Sequence, residues 1–370
     1  MADTTVATAA RLNGVPLVNI AENLRVAFDN GRRLSAILRE IVTLRRAAGK
    51  LAPSEYFYYR LWDPHLSLEE KRCFVGKQAQ HLMHVACNDR HWYQTAADKI
   101  LFHTIMAGAA LPVPQVTAIT QAGRRLRGAL TLDQPDAIAA FLRDPANFPL
   151  FAKPAAGKYS LNVISADAYD PASDELILFG GARQPVPATA QSMAEGAGYV
   201  IQPRLRPAAE IEAKFGPCLW SVRLVVFIRP DGPYIHRAVA KIATGDNPAD
   251  NYWRPGNMLG AIDLSSGRIV GAVRGTASQM TRDERHPDTG RPVIGFGVPH
   301  WSTLCGLARE AATVFPGIRT QSWDIAVTDQ GPVPLEVNFG GDLNLAQLAD
   351  GRGVLDDDYR AHLRQCGFRT

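Results

Sequence analysis

The sequence predicts an α+β protein, with helices concentrated in the first third of the chain and β-hairpins in the rest. Apolar residues recur at helical spacing between Leu24 and Leu44, in a stripe interrupted by Gly31. Beyond Pro112 the pattern changes to short runs of β-branched and aromatic residues separated by turn residues. These runs do not alternate regularly with helices, so the repeated βαβ unit of a parallel-sheet protein is not expected.

Two further helix starts are predicted before Pro112. Ser67 and Glu70 have the spacing of a capping box, in which each side chain accepts a backbone N–H from the other end of the first turn. Asp98 is suited to cap a helix that begins at Lys99. Arginines are scattered through the first helical stretch, which is typical of a solvated helix face; a binding patch is the alternative.

The predicted strands are spread over the remaining two thirds of the chain. The run from Ser221 to Ile228 has the strongest strand character, because it is rich in β-branched and aromatic residues. Asp231-Gly232 predicts a hairpin turn into the strand that follows it. A helix is expected from Thr303 to Phe315. The predicted strands cover residues 113–119, 148–153, 161–164, 199–203, 221–228, 234–242, 322–328 and 333–337.

Composition and charge exclude several classes of protein. The 370 residues are 46% hydrophobic and 21% charged, which is ordinary for a globular chain. The net charge of +4 is too small and too dispersed to indicate nucleic-acid binding. No apolar run of about 18 residues and no signal-peptide pattern is present, so we expect a cytoplasmic protein without a membrane span. The five cysteines are scattered without a C-x-x-C pair, which favours reduced thiols.

The most informative segment is the predicted hairpin that ends at Asn338. Glu336 and Asn338 are two residues apart on one strand, so their side chains share a face. Asp324, on the preceding strand, can lie opposite them. Two carboxylates and an amide oxygen are hard ligands that suit a Mg²⁺ ion bound together with substrate phosphates. The alternative is a surface hairpin whose acidic residues lie on its solvent-exposed face.

A second candidate site is the segment from Phe151 to Ser160. Lys153 ends an apolar strand and precedes a loop that contains Gly157, so the lysine and the loop N–H groups could bind phosphate. Neither G-x-x-x-x-G-K-[ST] nor G-x-G-x-x-G is present, and an exposed lysine on a surface turn is the alternative.

Three further basic residues stand out by their positions. Arg223 lies inside an apolar strand, and Lys241 lies at the end of the next one. Charged side chains are seldom buried without a partner, so we expect both to face a polar cleft. Lys99, directly after its N-cap, would by itself be a surface lysine.

Taken in their order along the chain, these motifs resemble the ATP-grasp superfamily, and most closely the branch called sugar-transfer-associated ATP-grasp. The resemblance runs from about residue 67 to residue 355, and the order and spacing of the motifs make it specific. The main motifs are Lys99 in Asp-Lys, Lys153 in Phe-Ala-Lys-Pro, Arg223 in Ser-Val-Arg, Asp324 in Trp-Asp-Ile-Ala, and Glu336-Val-Asn338. Further support comes from Asp250-Asn251, Gly256-Asn257, His286 to Gly290, Pro299 to Trp301, Gly341 to Asn344, and Gln347.

The resemblance implies an ATP-grasp fold, in which two α+β subdomains grip ATP, with Mg²⁺ as the second cofactor. Lys99 and Lys153 would bind the phosphates, and a mobile loop containing Gly157 and Ser160 would close over them. A hinge would read adenine through its backbone, and Glu210 would take the ribose hydroxyls. The hinge residues are Gln202, Pro203, Arg204 and Leu205, with Gln202 where the family usually has an acid.

The resemblance also implies the metal and catalytic residues. Asp324, Glu336 and Asn338 would hold two Mg²⁺ ions. Arg223 would hold the γ-phosphate or the acyl phosphate formed from it, and Lys241 and Asn338 complete the catalytic set. Some of the polar loop residues near the motifs are expected to line the acceptor pocket, and the candidates are Asn251, Asn257, Asp283, His286 and Asp342. His286 could act as a general base, or it could belong to an exposed loop.

The activity implied is that of an ADP-forming ligase, which activates a small-molecule carboxylate as an acyl phosphate for attack by an amine (or a thiol), in small-molecule or cell-surface sugar biosynthesis. A small-molecule kinase is one alternative, and a nucleotide-binding partner of a biosynthetic assembly is another. We expect a helical region over residues 1–95, an N-terminal ATP-grasp part with a small lid over 96–205, and a C-terminal subdomain with the metal site over 206–370. A homo-oligomer is possible, and no nucleic-acid partner is expected.

Overall fold

The computed structural model describes residues 18–157, 161–339 and 341–369, and it contains a helical N-terminal region followed by two β-sheets. The N-terminal helices are α1 (Ile20–Asp29), α2 (Leu34–Arg46), α3 (Pro53–Tyr58), α4 (Leu68–Arg72), α5 (Lys77–Cys87), α6 (Tyr93–Ala97) and α7 (Lys99–Gly108). The later helices are α8 (Pro135–Arg143), α9 (Val186–Ala194), α10 (Ala209–Phe215), α11 (Trp301–Thr313), α12 (Leu343–Asp350) and α13 (Asp357–Gln365). The predicted α+β class and the helical region before the sheets are confirmed.

The first sheet has seven strands in the order β2-β1-β7-β3-β4-β5-β6. Its strands are β1 (Ala118–Ile119), β2 (Leu130–Thr131), β3 (Leu150–Pro154), β4 (Ile164–Asp170), β5 (Glu175–Leu178), β6 (Arg183–Pro185) and β7 (Tyr199–Pro203). All neighbours are antiparallel except β1 and β2. Helices α8 and α9 pack on this sheet around Leu142, Leu150 and Met193.

The second sheet also has seven strands, all antiparallel, in the order β12-β11-β10-β9-β8-β13-β14. They are β8 (Ser221–Arg229), β9 (Gly232–Ile242), β10 (Met258–Ile262), β11 (Ile269–Arg274), β12 (Thr281–Arg282), β13 (Thr320–Thr328) and β14 (Gly331–Asn338). This sheet is covered on both faces. Alternate residues of β8 therefore enter two cores: Val225 and Phe227 contact the N-terminal helices, whereas Leu224 and Val226 contact the side of α7 and α11.

Several local predictions are confirmed. The Ser67 hydroxyl accepts the Glu70 N–H at 3.3 Å, and the Glu70 carboxylate accepts the Ser67 N–H at 2.7 Å, which is the predicted capping box. Asp98 caps α7 by accepting from the N–H groups of Ile100 and Leu101. Strand β7 has the predicted bounds, and β8 and β9 form the predicted hairpin.

The strand predicted over residues 113–119 is shorter than expected, because only Ala118–Ile119 pairs with neighbours. Pro112 and Pro114 precede it, and proline has no N–H to donate to a neighbouring strand. Among the described residues, no helix is long and apolar enough to span a bilayer.

Candidate active site

Residues from both sheets line a cavity of about 310 Å³. One wall consists of β3 with the loop after it and of the segment after β7. The opposite wall consists of β8, β9 and the β13–β14 hairpin, together with the loop over residues 247–253. Most of the residues proposed from the sequence for nucleotide, metal and catalysis therefore lie around one cavity.

The floor of the cavity carries a buried cluster of charges on three neighbouring strands. Arg223 and Asp324 lie directly opposite each other on β8 and β13. The Arg223 guanidinium donates two hydrogen bonds to the Asp324 carboxylate, from Nε and Nη2, each at 2.7 Å. Lys241 Nζ donates a third at 3.0 Å. The exposed fractions are only 8% for Arg223, 3% for Asp324 and 6% for Lys241. Little water reaches these groups, so each charge is stabilised by the opposite charges beside it.

The pKa values of this cluster reflect the pairing. Burial would raise the pKa of Asp324, but the charges of Arg223 and Lys241 lower it well below its usual range. Burial would likewise lower the pKa of Lys241, but Asp250 and Asp324 raise it. All of these groups therefore stay ionised at neutral pH.

Two acidic residues extend the cluster away from its centre. Lys241 Nζ also lies 3.1 Å from Asp250 Oδ1, and Asp250 accepts a hydrogen bond from the Ser221 hydroxyl. On the other side, Asp342 lies 3.7 Å from Arg223 Nη1 and accepts a 2.7 Å hydrogen bond from Lys77 Nζ. Lys77 is the first residue of α5, so the N-terminal helical region contacts the charged floor directly.

The three predicted metal ligands face the same cavity. The strand register places Asp324 directly opposite Glu336, and Glu336 and Asn338 share a face of β14. Asn338 Nδ2 donates to Glu336 Oε1 at 3.2 Å, which leaves its amide oxygen as a ligand atom. Two carboxylates and one amide oxygen at a cavity wall are a donor set that fits Mg²⁺; the oxygens of Asp324 would bind the ion through lone pairs not used by Arg223 and Lys241.

Two lysines reach the cavity from the opposite wall. Lys153 Nζ lies 3.5 Å from the carbonyl of Leu335, and Lys99 Nζ donates to the carbonyl of Gly157 at 3.2 Å. Burial and the positive charge of Lys99 lower the pKa of Lys153 to about 8. The lysines and the start of the loop thus lie together, whereas Ser160 lies outside the described residues.

The predicted hinge residues also line the cavity. Gln202 is buried at the end of β7. Pro203 has no N–H, and the N–H of Arg204 donates to Pro149 O at 3.0 Å. Within the described part of the chain, the N–H of Leu205 has no hydrogen-bond acceptor, so it is available to donate to a ligand. Glu210 lies exposed on α10 and is not part of the cavity lining.

The loop over residues 247–253 forms one wall of the cavity, and the sequence had singled out only Asp250 and Asn251 within it. The buried side chain of Asn257 holds this loop in place through hydrogen bonds. Its Oδ1 accepts from Thr244 N and Asn247 Nδ2, and its Nδ2 donates to the carbonyls of Ala249 and Asn251. The sequence had noted Gly256-Asn257 as part of the family resemblance and Asn257 as a residue of the acceptor pocket, but not its role in holding this loop.

Only some of the residues considered for the acceptor pocket line the cavity. Asn251 and Asp342 line the cavity, whereas Asn257 lies behind it. Asp283 pairs with Arg274 at 2.8 Å and does not reach the cavity. His286 is buried, stacked 6.2 Å from the ring of Trp220, so it belongs neither to the cavity lining nor to an exposed loop.

The family comparison agrees with this arrangement. Residues 184–360 match the family model described as sugar-transfer associated ATP-grasp. The match contains Arg223, Lys241 and the β13–β14 hairpin, and enzymes of the ATP-grasp superfamily bind ATP with Mg²⁺. The match confirms the predicted resemblance to the ATP-grasp superfamily, closest to its sugar-transfer associated branch. No curated protein sequence matches the chain.

Solved structures with a similar fold were also found. They include N5-carboxyaminoimidazole synthase from Aspergillus clavatus, solved with ADP (10% identity, 79% of this chain and 58% of that chain, TM-score 0.41). Another is biotin carboxylase from Campylobacter jejuni (10%, 80% and 52%, TM-score 0.44). A third is D-alanine–D-alanine ligase from Bacillus anthracis, solved with ATP (12%, 76% and 70%, TM-score 0.40). The chain spans only 43% to 58% of the length of the first such structures.

Proposed function

We propose that this protein is an ADP-forming ligase that activates a carboxylate as an acyl phosphate, which an amine then attacks. One observation carries the proposal. A buried cluster of Arg223, Lys241 and Asp324 shares a cavity with the oxygen ligands on β14 and with two lysines from the opposite wall. Clustered cations and hard oxygen ligands are what a triphosphate with Mg²⁺ requires.

The residues divide into three roles in this proposal. Lys99 and Lys153 bind phosphate oxygens, because their ammonium groups lie on the wall that carries the predicted phosphate loop. Asp324, Glu336 and Asn338 hold Mg²⁺. The hinge from Gln202 to Leu205 contacts the adenine, with the Leu205 N–H as its donor.

Bound Mg·ATP supplies the phosphoryl group that makes an unreactive carboxylate a good acyl donor. The protein has to position the reactants and neutralise charge, and no nucleophilic side chain is needed. Arg223 is held rigidly at the cavity floor by two hydrogen bonds to Asp324, which leave its Nη1, 3.7 Å from Asp342, without a hydrogen bond to Asp324. Lys241 is fixed in the same way between Asp250 and Asp324. These two cations orient the acid and stabilise negative charge as it develops.

Two remaining site predictions stay proposals. Glu210 is proposed as a ribose contact on sequence grounds alone, and Ser160 as part of the closing loop. We also retain the proposed division into residues 1–95, 96–205 and 206–370. A role in small-molecule or cell-surface sugar biosynthesis is supported by the family description and completes the proposal.

The test is to incubate the protein with Mg·ATP, pooled carboxylic acids and hydroxylamine, and to analyse the products by mass spectrometry. An acyl phosphate reacts with hydroxylamine, so a hydroxamate formed with ADP and phosphate supports a ligase and identifies its acid. The matched control is Glu336→Gln, which should give none. ADP formed with a stable phosphorylated product would replace the ligase with a kinase. Binding of Mg·ATP without ADP formation on any pool would favour a nucleotide-binding partner.

A further inference from the structure

A second group of potential ligands lies away from the cavity, where α5, α13 and the start of β13 meet. The sulfur atoms of Cys87 and Cys366 and a ring nitrogen of His362 all lie within 4.8 Å of one another. Cys87 and His362 are buried, and Cys366 is partly exposed. None of the three lines the cavity described above.

The backbone holds these three residues in place. Cys87 ends α5, and the next residue, Asn88, is fixed to β13 because its side chain accepts from Thr320 N at 2.8 Å and donates to Thr320 O at 3.3 Å. His362 lies in the last turn of α13 and Cys366 is the C-cap residue of that helix, four positions later, with its N–H bonded to His362 O at 3.1 Å, so the two side chains lie on one side of the helix end. The group is therefore supplied by rigid elements.

Further polar groups lie near His362, whose ring centroid is 6.4 Å from that of Tyr359. His362 Nε2 lies 3.7 Å from Cys366 Sγ and 2.9 Å from Thr320 Oγ1. The hydroxyl of Tyr359, one turn before His362 on α13, is fully buried and has no hydrogen-bond partner within the described residues. A buried hydroxyl without a partner is unusual and calls for an explanation such as a missing ion or water.

We propose that Cys87, His362 and Cys366 bind one Zn²⁺ ion. Two thiolates and one imidazole are a common ligand set for Zn²⁺, and a buried hydroxyl or a water can take the fourth position. Binding releases the two thiol protons to solvent and forms two Zn–S bonds and one Zn–N bond, with no change of oxidation state. The ion joins the N-terminal helical region to the last helix, so its role is structural.

The test uses the full chain, reduced with a phosphine and then equilibrated with Zn²⁺ and a competing chelator. We expect one zinc per chain by elemental analysis and a rise in melting temperature on zinc addition. Substitution with Co²⁺ should give a thiolate-to-metal charge-transfer band. Cys366→Ser and His362→Ala should each weaken zinc binding by more than about a hundredfold, since losing an outer-shell partner alone costs up to that factor.

The control is Cys305→Ser, which removes a buried thiol on α11 and should bind zinc like the wild type. Reduced wild-type protein that holds no zinc in the presence of the chelator would overturn the proposal. So would equal zinc binding by Cys366→Ser. A Cys87–Cys366 disulfide that forms as readily with zinc as without it would identify a redox pair instead. The wild-type stoichiometry decides the question even if a variant fails to fold.

Discussion

Arg223 and Asp324 are opposite each other on neighbouring strands, and the guanidinium donates two parallel hydrogen bonds of 2.7 Å to the carboxylate. Burying an ion pair removes two charges from water, and the free energy this costs can exceed the attraction between them. A buried pair is therefore weak evidence that the interaction stabilises the fold. Its position at the floor of the cavity instead gives it a role in orienting charge. The cluster with Lys241 is the feature on which the proposed activity depends.

Substitution of Arg223 should separate its structural contribution from its catalytic one. Arg223→Ala removes two hydrogen bonds and one of the two cations that pair with the buried Asp324 carboxylate. We therefore expect the free energy of unfolding to fall by about 3–5 kcal/mol. Arg223→Lys keeps the charge but cannot form two parallel hydrogen bonds, so it should be closer to wild type in stability and still lose most turnover. Urea unfolding and ADP release measure the two effects. Full activity in Arg223→Lys would show that the fork geometry is not needed.

Glu336→Gln removes one negative oxygen ligand and keeps the size of the side chain. Glu336 is partly exposed at the cavity wall, and its carboxylate accepts a hydrogen bond from Asn338 Nδ2. We expect the free energy of unfolding to change by less than about 0.5 kcal/mol, whereas ADP formation should be abolished. Glu310→Gln, on the exposed face of α11, is the matched control and should keep full activity. Retained turnover in Glu336→Gln would refute the metal assignment.

Nucleotide binding should depend on pH through Lys153. Its pKa is lowered to about 8, mainly by burial and then by Lys99. The amine is charged below this pKa and neutral above it, so affinity for Mg·ATP should fall as pH rises, by roughly tenfold one unit above the pKa. Lys153→Arg stays charged throughout and should remove this dependence. Titration calorimetry across the range tests it, and an identical pH profile for both proteins would exclude Lys153 as the titrating group.

Asn257 should control the loop that forms one wall of the cavity. It is 1% exposed and makes four hydrogen bonds to residues 244–251. Asn257→Ala should lower the free energy of unfolding by about 2–3 kcal/mol, since it leaves buried backbone groups without partners. Because the loop borders the cavity and also carries Asp250, which pairs with Lys241, we expect KM to rise and kcat to fall. A variant with wild-type stability and KM would show that the loop is held by other contacts.

The sequence predicted the charged hairpin well, because its information is local. Period-two alternation placed Glu336 and Asn338 on one face, and the short connection to β13 placed Asp324 opposite. The capping box at Ser67 was predictable for the same reason, since all of its hydrogen bonds lie within one turn.

Features that depend on tertiary contacts were not predictable. Strands β4 to β6 and helix α9 mix polar and apolar residues without a clear period, and only packing against the rest of the first sheet defines them. The pairing of Lys77 with Asp342 joins residues 265 positions apart. His286 resembled an exposed loop residue by its neighbours in sequence, yet it is buried against aromatic rings from distant segments.

The most direct test of the acyl-phosphate mechanism is to follow an oxygen atom of the carboxylate substrate. Once an acid substrate has been identified, its carboxylate is labelled with heavy oxygen and turned over with Mg·ATP and the amine acceptor. Activation through an acyl phosphate transfers one labelled oxygen to the phosphate released, and mass spectrometry of that phosphate should show it. Phosphate without the label, from a reaction that still forms the amide, would contradict the proposed mechanism.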